Sequence, residues 1–202
     1  MAGQPQFTER APFADGVLVM ALWVSGDQDA ALALCAELRS RITGSTGDNP
    51  LQDHVVALVR SATGYIAARS GDTVTAATDL QISYPAAVST KDMPIVAVAG
   101  VGMAALAQAV GAAETGAIML GAAARVRGSD DRTDPAVALV TEDLQRVLGE
   151  EFSEKYSEGE GLAVARAVAA LAPERLRSAI RMIRAETGSI EQVNDGPAVG
   201  LR

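Results

Sequence analysis

Three glycines, Gly26, Gly71 and Gly111, each stand between two apolar stretches that run at helical spacing, and this recurrence constrains the fold more than any other feature. The turns are 45 and then 40 residues apart. A short turn such as Ser25-Gly26-Asp27 or Gly71-Asp72 between two amphipathic helices makes an antiparallel hairpin. Hairpins recurring at such a period predict a stack of helical repeats with one continuous core.

The stretches themselves follow a 3.6-residue rhythm. Val17, Met20, Ala21 and Val24 mark a first helix, and Ala31, Leu34, Cys35 and Leu38 the inner face of a second. Leu51 to Ser70 reads as a third, with Val55, Leu58, Val59, Ala62 and Ile66 inward, and its partner starts at Val74 and is limited or kinked at Pro85. Met93 to Val110 and Ala112 to Val126 form the last pair. In tetratricopeptide repeats a small residue lies seven positions before the turn and another five after it, where the two helices cross. Those positions hold Val19 and Ala31, Gly64 and Ala76, Ala104 and Gly116, five of the six being Ala or Gly.

Composition agrees with this reading. Hydrophobic residues are 49% of the chain but aromatics only 3%, so Ala, Val, Leu and Ile fill the interior. Ala favours helices and offers little to a pleated surface. A formal charge of −8 argues against direct contact with nucleic acid, since phosphate affinity comes largely from Lys and Arg. The single Cys35 allows no internal disulfide, Met1 to Asp15 has no apolar leader, and no stretch has the length and apolarity of a membrane span. The expectation is a cytoplasmic chain without membrane contact.

Beyond the hairpins, Asp134-Pro135 is a helix start, followed by an inner stripe of Val137, Val140, Leu144 and Val147. Phe152 and Tyr156, one turn apart, plug the end of the stack, Leu162 to Leu171 is helical, and Pro173 opens a last helix with Leu176, Ile180 and Ile183 inward. The expected organisation is a flexible lead-in over 1–14 and a helical-repeat domain over 15–187, followed by a flexible tail over 188–202. Within that domain, repeats span 15–43, 51–88 and 92–127, and capping helices fill 135–187.

The run Gly116 to Arg127, with Leu120-Gly121-Ala122-Ala123, followed by Leu148-Gly149-Glu150-Glu151, Phe152, Tyr156 and Gly159, resembles the C-terminal tetratricopeptide-like region of large bacterial transcriptional regulators of the LuxR and antibiotic-regulatory types. The likeness covers roughly residues 51 to 160. It departs after Gly161, where Leu162-Ala163-Val164-Ala165-Arg166 replaces the Ser/Thr and Glu-Ala opening of the next family helix. Such regulators also carry a DNA-binding module and an NTPase module, but the 202 residues contain no G-x-x-x-x-G-K-[ST] phosphate loop. The resemblance therefore implies a piece of such a regulator, or a short relative that keeps only the repeats.

Residues with chemical potential are few. Ile95 to Ala105, IVAVAGVGMAA, reads like a strand entering a G-x-G-x-x-A dinucleotide loop, yet no acidic residue follows about 20 positions on, near Leu120 to Arg125. His54 and Cys35 are the only candidates for a nucleophile-base pair, with Cys35 on an inner helix face and His54 opening a helix. Asp130, Asp131 and Asp134 lack the glycine and terminal Glu of a calcium loop. Arg175, Arg177, Arg181 and Arg184 are either a solvated face or a contact for an acidic partner.

The sequence thus predicts an all-α array with no cofactor, metal or catalytic residue. Its function is expected to be regulatory, with a peptide, protein or small effector held on a concave face lined by the first helix of each pair. Trp23, Arg60 and Tyr65 are expected to project onto that face. The alternatives are a self-association module of a larger regulator, which allows a homodimer, and more remotely an enzyme using the 100–105 glycines for a nucleotide.

Overall fold

A computed structural model describes residues 12–42, 50–129, 131 and 133–181. The composition of residues 43–50 predicts a loop; its residues 43–49, the tail over 188–202, Asp130, Ile183 and Arg184 lie outside the described residues, and Pro50 already belongs to a helix. Among the described residues every regular element is helical and no strand occurs.

The helices pair as antiparallel hairpins: α1 (Pro12–Val24) with α2 (Gln28–Arg41), α3 (Pro50–Arg69) with α4 (Thr73–Thr90), and α5 (Met93–Ala109) with α6 (Ala113–Arg127). They are followed by α7 (Pro135–Leu148), α8 (Glu151–Glu160), α9 (Val164–Ala170) and α10, helical over residues 173–181. Successive first helices α1, α3, α5 and α7 pack side by side, and each second helix also touches the first helix that follows it. Helix α1 starts at Pro12, inside the stretch expected as lead-in.

The turn glycines do what only glycine does cheaply. Gly26, Gly71 and Gly111 have φ of +90°, +86° and +82°, the left-handed conformation that reverses the chain after a helix. Asp27 and Asp72 then cap the returning helices, accepting from Ala30 N at 3.3 Å and Thr75 N at 3.0 Å. Pro85 does not end its helix. It sits exposed in the interior of α4, which continues to Thr90.

The six crossing positions named from the sequence are all buried. Leu80 of α4 is the knob that ties two hairpins together. A methyl on Gly64 of α3 would lie 2.8 Å from Leu80 Cγ, and one on Gly102 of α5 would lie 2.6 Å from Leu80 Cδ2. Leu144 of α7 sits likewise over Gly116 of α6, 3.0 Å from the place of its missing methyl. Small residues at these points let helices approach and leave sockets for leucine.

One expected inner position is corrected: Val147 of α7 is 60% exposed. Of the residues that mark α1, Val17, Ala21 and Val24 are exposed and Met20 packs against the core, alongside buried Asp15, Gly16 and Val19. Asp15 is turned in because Arg41 of α2 reaches it at 3.2 Å. The C-terminal segment closes the stack over α4, α5 and α6: Tyr84 Oη donates to Val168 O at 2.7 Å, and Leu171 fills the gap above Gly100.

Candidate recognition groove

The three residues expected on one face separate in space. Arg60 leaves α3 toward α2 and α4 and is only 8% exposed. Its Nη1 meets Asp79 Oδ1 at 2.7 Å, and its Nη2 donates to the carbonyls of Arg39, at 3.2 Å, and Ile42. Those oxygens belong to the end of α2, where carbonyls have no helical partner and a cation is favoured. Asp79, 1% exposed, also accepts from Arg39 Nε at 2.6 Å and Thr63 Oγ1 at 2.7 Å. Arg60 is therefore part of a buried tie between the first two hairpins. The expectation that it projects onto an open face is corrected, because a complementary carboxylate across the hairpin draws it inward.

Tyr65 is also buried, at 3% exposure, and among the described residues no hydrogen-bond partner meets its hydroxyl. Burial pushes its pKa up to about 12, an effect partly offset by nearby Arg69. Helix α7 comes close to this end of α3, since Asp143 of α7 pairs with Arg69 and also with Arg146 at 2.6 Å. The expected outward position of Tyr65 is thus corrected as well.

Trp23 stays at a surface. Partly buried against the core, it lines an open groove of about 830 Å³. Val24 and Leu32 of the first hairpin continue its wall, Ala138 and Leu139 of α7 face them, and Arg69 and Ser70 close the end. Val24 and Leu32 are 52% and 38% exposed. Apolar walls, one large aromatic and an arginine form the kind of surface on which a few anchors carry binding energy.

No family model, curated protein or solved structure matches the chain.

Other candidates lead elsewhere. The G-x-G stretch is the interior of α5, not a strand and turn; Gly100 and Gly102 are covered by Leu171 and Leu80, so the expected alternative of a phosphate loop there is overturned. Cys35 is wholly buried, and loss of solvation raises its pKa to about 11, which keeps it a neutral thiol. His54 Nε2 lies 3.7 Å from Asp92, far along the chain from Cys35. Asp134 caps α7 by accepting from Ala136 N at 2.8 Å, and Asp131 pairs with Arg127 while the Thr133 hydroxyl holds its pKa below the usual carboxylate range. Among the described residues no group of three or more potential ligands converges on a metal position.

Two smaller grooves were not foreseen in the sequence. One, about 440 Å³, runs between α4, α5 and α10 past Met103, Leu106 and Leu176. The other, about 450 Å³, separates α7 from α8 beside Phe152 and Tyr156, whose rings lie 5.7 Å apart. The first brings α10 against α4 and α5, far from it in sequence, and the second lies between consecutive helices whose packing angle periodicity does not give.

Proposed function

We propose that this chain is a noncatalytic recognition domain of tetratricopeptide-like build that holds a peptide or protein segment in the groove beside Trp23. The observation that carries the reading is the groove itself, which pairs the only tryptophan with exposed Val24 and Leu32 at the place where the first hairpin faces α7. Consistent with it, Cys35 is a buried free thiol and buried Asp79 is held by Arg39 and Arg60. The resemblance over residues 51 to 160 supports reading such a domain as part of a bacterial transcriptional regulator, where ligand capture would report to other modules. A peptide library displayed on phage and selected on the full chain tests the groove. Enriched peptides should lose binding to Trp23→Ala, which removes the aromatic part of the groove wall, and equal binding to both proteins would refute the assignment.

A further inference from the structure

The arginines of α10 play no part in the groove beside Trp23, and one of them borders a separate cavity of about 440 Å³ between α4, the end of α5 and α10. Met103, Leu106 and Leu176 form its floor, each 3% exposed or less, while Val74 and Ile180 stand at its sides. A mostly apolar concavity of this size with a few polar groups is the usual form of a small-molecule site.

Charge is confined to one wall. From Thr73 to Ala109 the charged residues are Asp79, turned inward onto Arg39 and Arg60, and Lys91 and Asp92 in the turn joining the opposite ends of α4 and α5. Asp72, just before Thr73, is engaged with the Thr75 amide. Among the described residues lining the cavity, Arg177 is the one charged side chain. Over residues 173–181 three arginines accompany a single glutamate, Glu174, so α10 has a surplus of positive charge. Arg177 Nη1 stands 3.8 Å from Glu174 Oε1, beyond hydrogen-bond length, with both side chains open to water, and such a pair holds its members weakly. Arg181 donates to Ser178 Oγ at 3.1 Å and not to a carboxylate.

The walls offer little to a peptide backbone. Thr78 Oγ1 is already bonded to Val74 O at 3.0 Å, which leaves Thr73 and Gln81 as the other uncharged polar side chains. A chain laid here would bury amides without partners, whereas a hydrocarbon body would not. We propose that this cavity takes a small amphiphilic carboxylate, its apolar body over Met103, Leu106 and Leu176 and its anionic head against Arg177. A guanidinium presents a planar fork that matches a carboxylate, which fixes the orientation of the ligand. This inference stands apart from the peptide reading, since the two cavities share no residue.

Decanoate and decanol share a tail and differ in the charge of the head, and calorimetric titration of each into the full chain provides the test. Decanoate should bind saturably at a single site, about tenfold more tightly than decanol. Arg177→Gln should erase that preference by weakening decanoate about tenfold and leaving decanol unchanged. Arg166→Gln, which removes an exposed charge of α9 outside the cavity, should alter neither. Thr78→Trp, at an exposed position on the cavity wall, should block both ligands. Circular dichroism checks that each variant keeps its helices. Decanoate that does not saturate, decanol that binds as tightly, an Arg177→Gln chain that keeps the preference, or a Thr78→Trp chain that still binds would each overturn the proposal.

Discussion

Gly121 of α6 and Gly159 of α8 lie back to back where their helices cross. A methyl on Gly121 would run into the carbonyl of Tyr156 and stand 2.9 Å from Glu160 N; one on Gly159 would run into the carbonyl of Ile118 and stand 2.7 Å from Ala122 N. The obstacles are backbone atoms, which cannot swing aside as a side chain can. Alanine at either site should therefore cost about 3 kcal/mol or more of unfolding free energy in urea, despite its better helix propensity. Because either change already separates the helices, the double variant should cost far less than the sum of the two.

Asp79 is the shared acceptor of Arg39, Arg60 and Thr63. Asp79→Ala leaves Arg60 buried without its counter-charge and is expected to lower stability by about 3–5 kcal/mol in urea denaturation. Replacing Asp79 and Arg60 together by Leu and Met should recover most of that loss, since an apolar pair needs no desolvation of charge.

Much of the fold was legible because its signals are local. Turn glycines with positive φ and aspartate caps act within a few positions, Asp134-Pro135 does open α7, and the small crossing residues stand at fixed offsets from those turns. The failures share one cause. Arg60 was placed outward because periodicity sorts residues by polarity, yet its partner, Asp79, comes from another helix. Tyr65 is buried by packing that no local pattern announces. On α1 periodicity marks the helix but not its orientation: Val17, Ala21 and Val24 are exposed while Met20 packs against the core. Gly121 and Gly159 were noted only as parts of a resemblance; 38 positions separate them in the chain, and nothing local pairs them.

Tyr65 gives the fold an alkaline weakness. Its pKa is raised to about 12 in the folded chain against about 10 when unfolded, so its contribution is complete below pH 10 and fades as pH climbs to about 12. Tyr65→Phe removes both the ionisation and a buried hydroxyl without a partner. The variant should be as stable as wild type at neutral pH, or more so by up to about 1 kcal/mol, and should lose less stability between pH 10 and 12 in thermal melts.

Asp72 acts in the opposite range. The Thr75 hydroxyl, then the Thr75 N–H, hold its pKa below the ordinary carboxylate value, so the cap contributes above the unfolded pKa and is lost as pH falls through the folded one. Asp72→Ala should cost about 1 kcal/mol at neutral pH, with solvent exposure keeping the loss modest. In acid the stability difference between variant and wild type should shrink, which melts recorded from neutral pH downward will show.

The groove assignment meets its most direct check in the emission of Trp23, the only tryptophan in the chain. Titrating the protein with a selected peptide should shift that emission toward the blue as the groove wall is covered, saturating at the same concentration as binding followed by calorimetry. A peptide that binds by calorimetry and leaves Trp23 emission unchanged would place recognition elsewhere on the molecule and contradict the groove as its site.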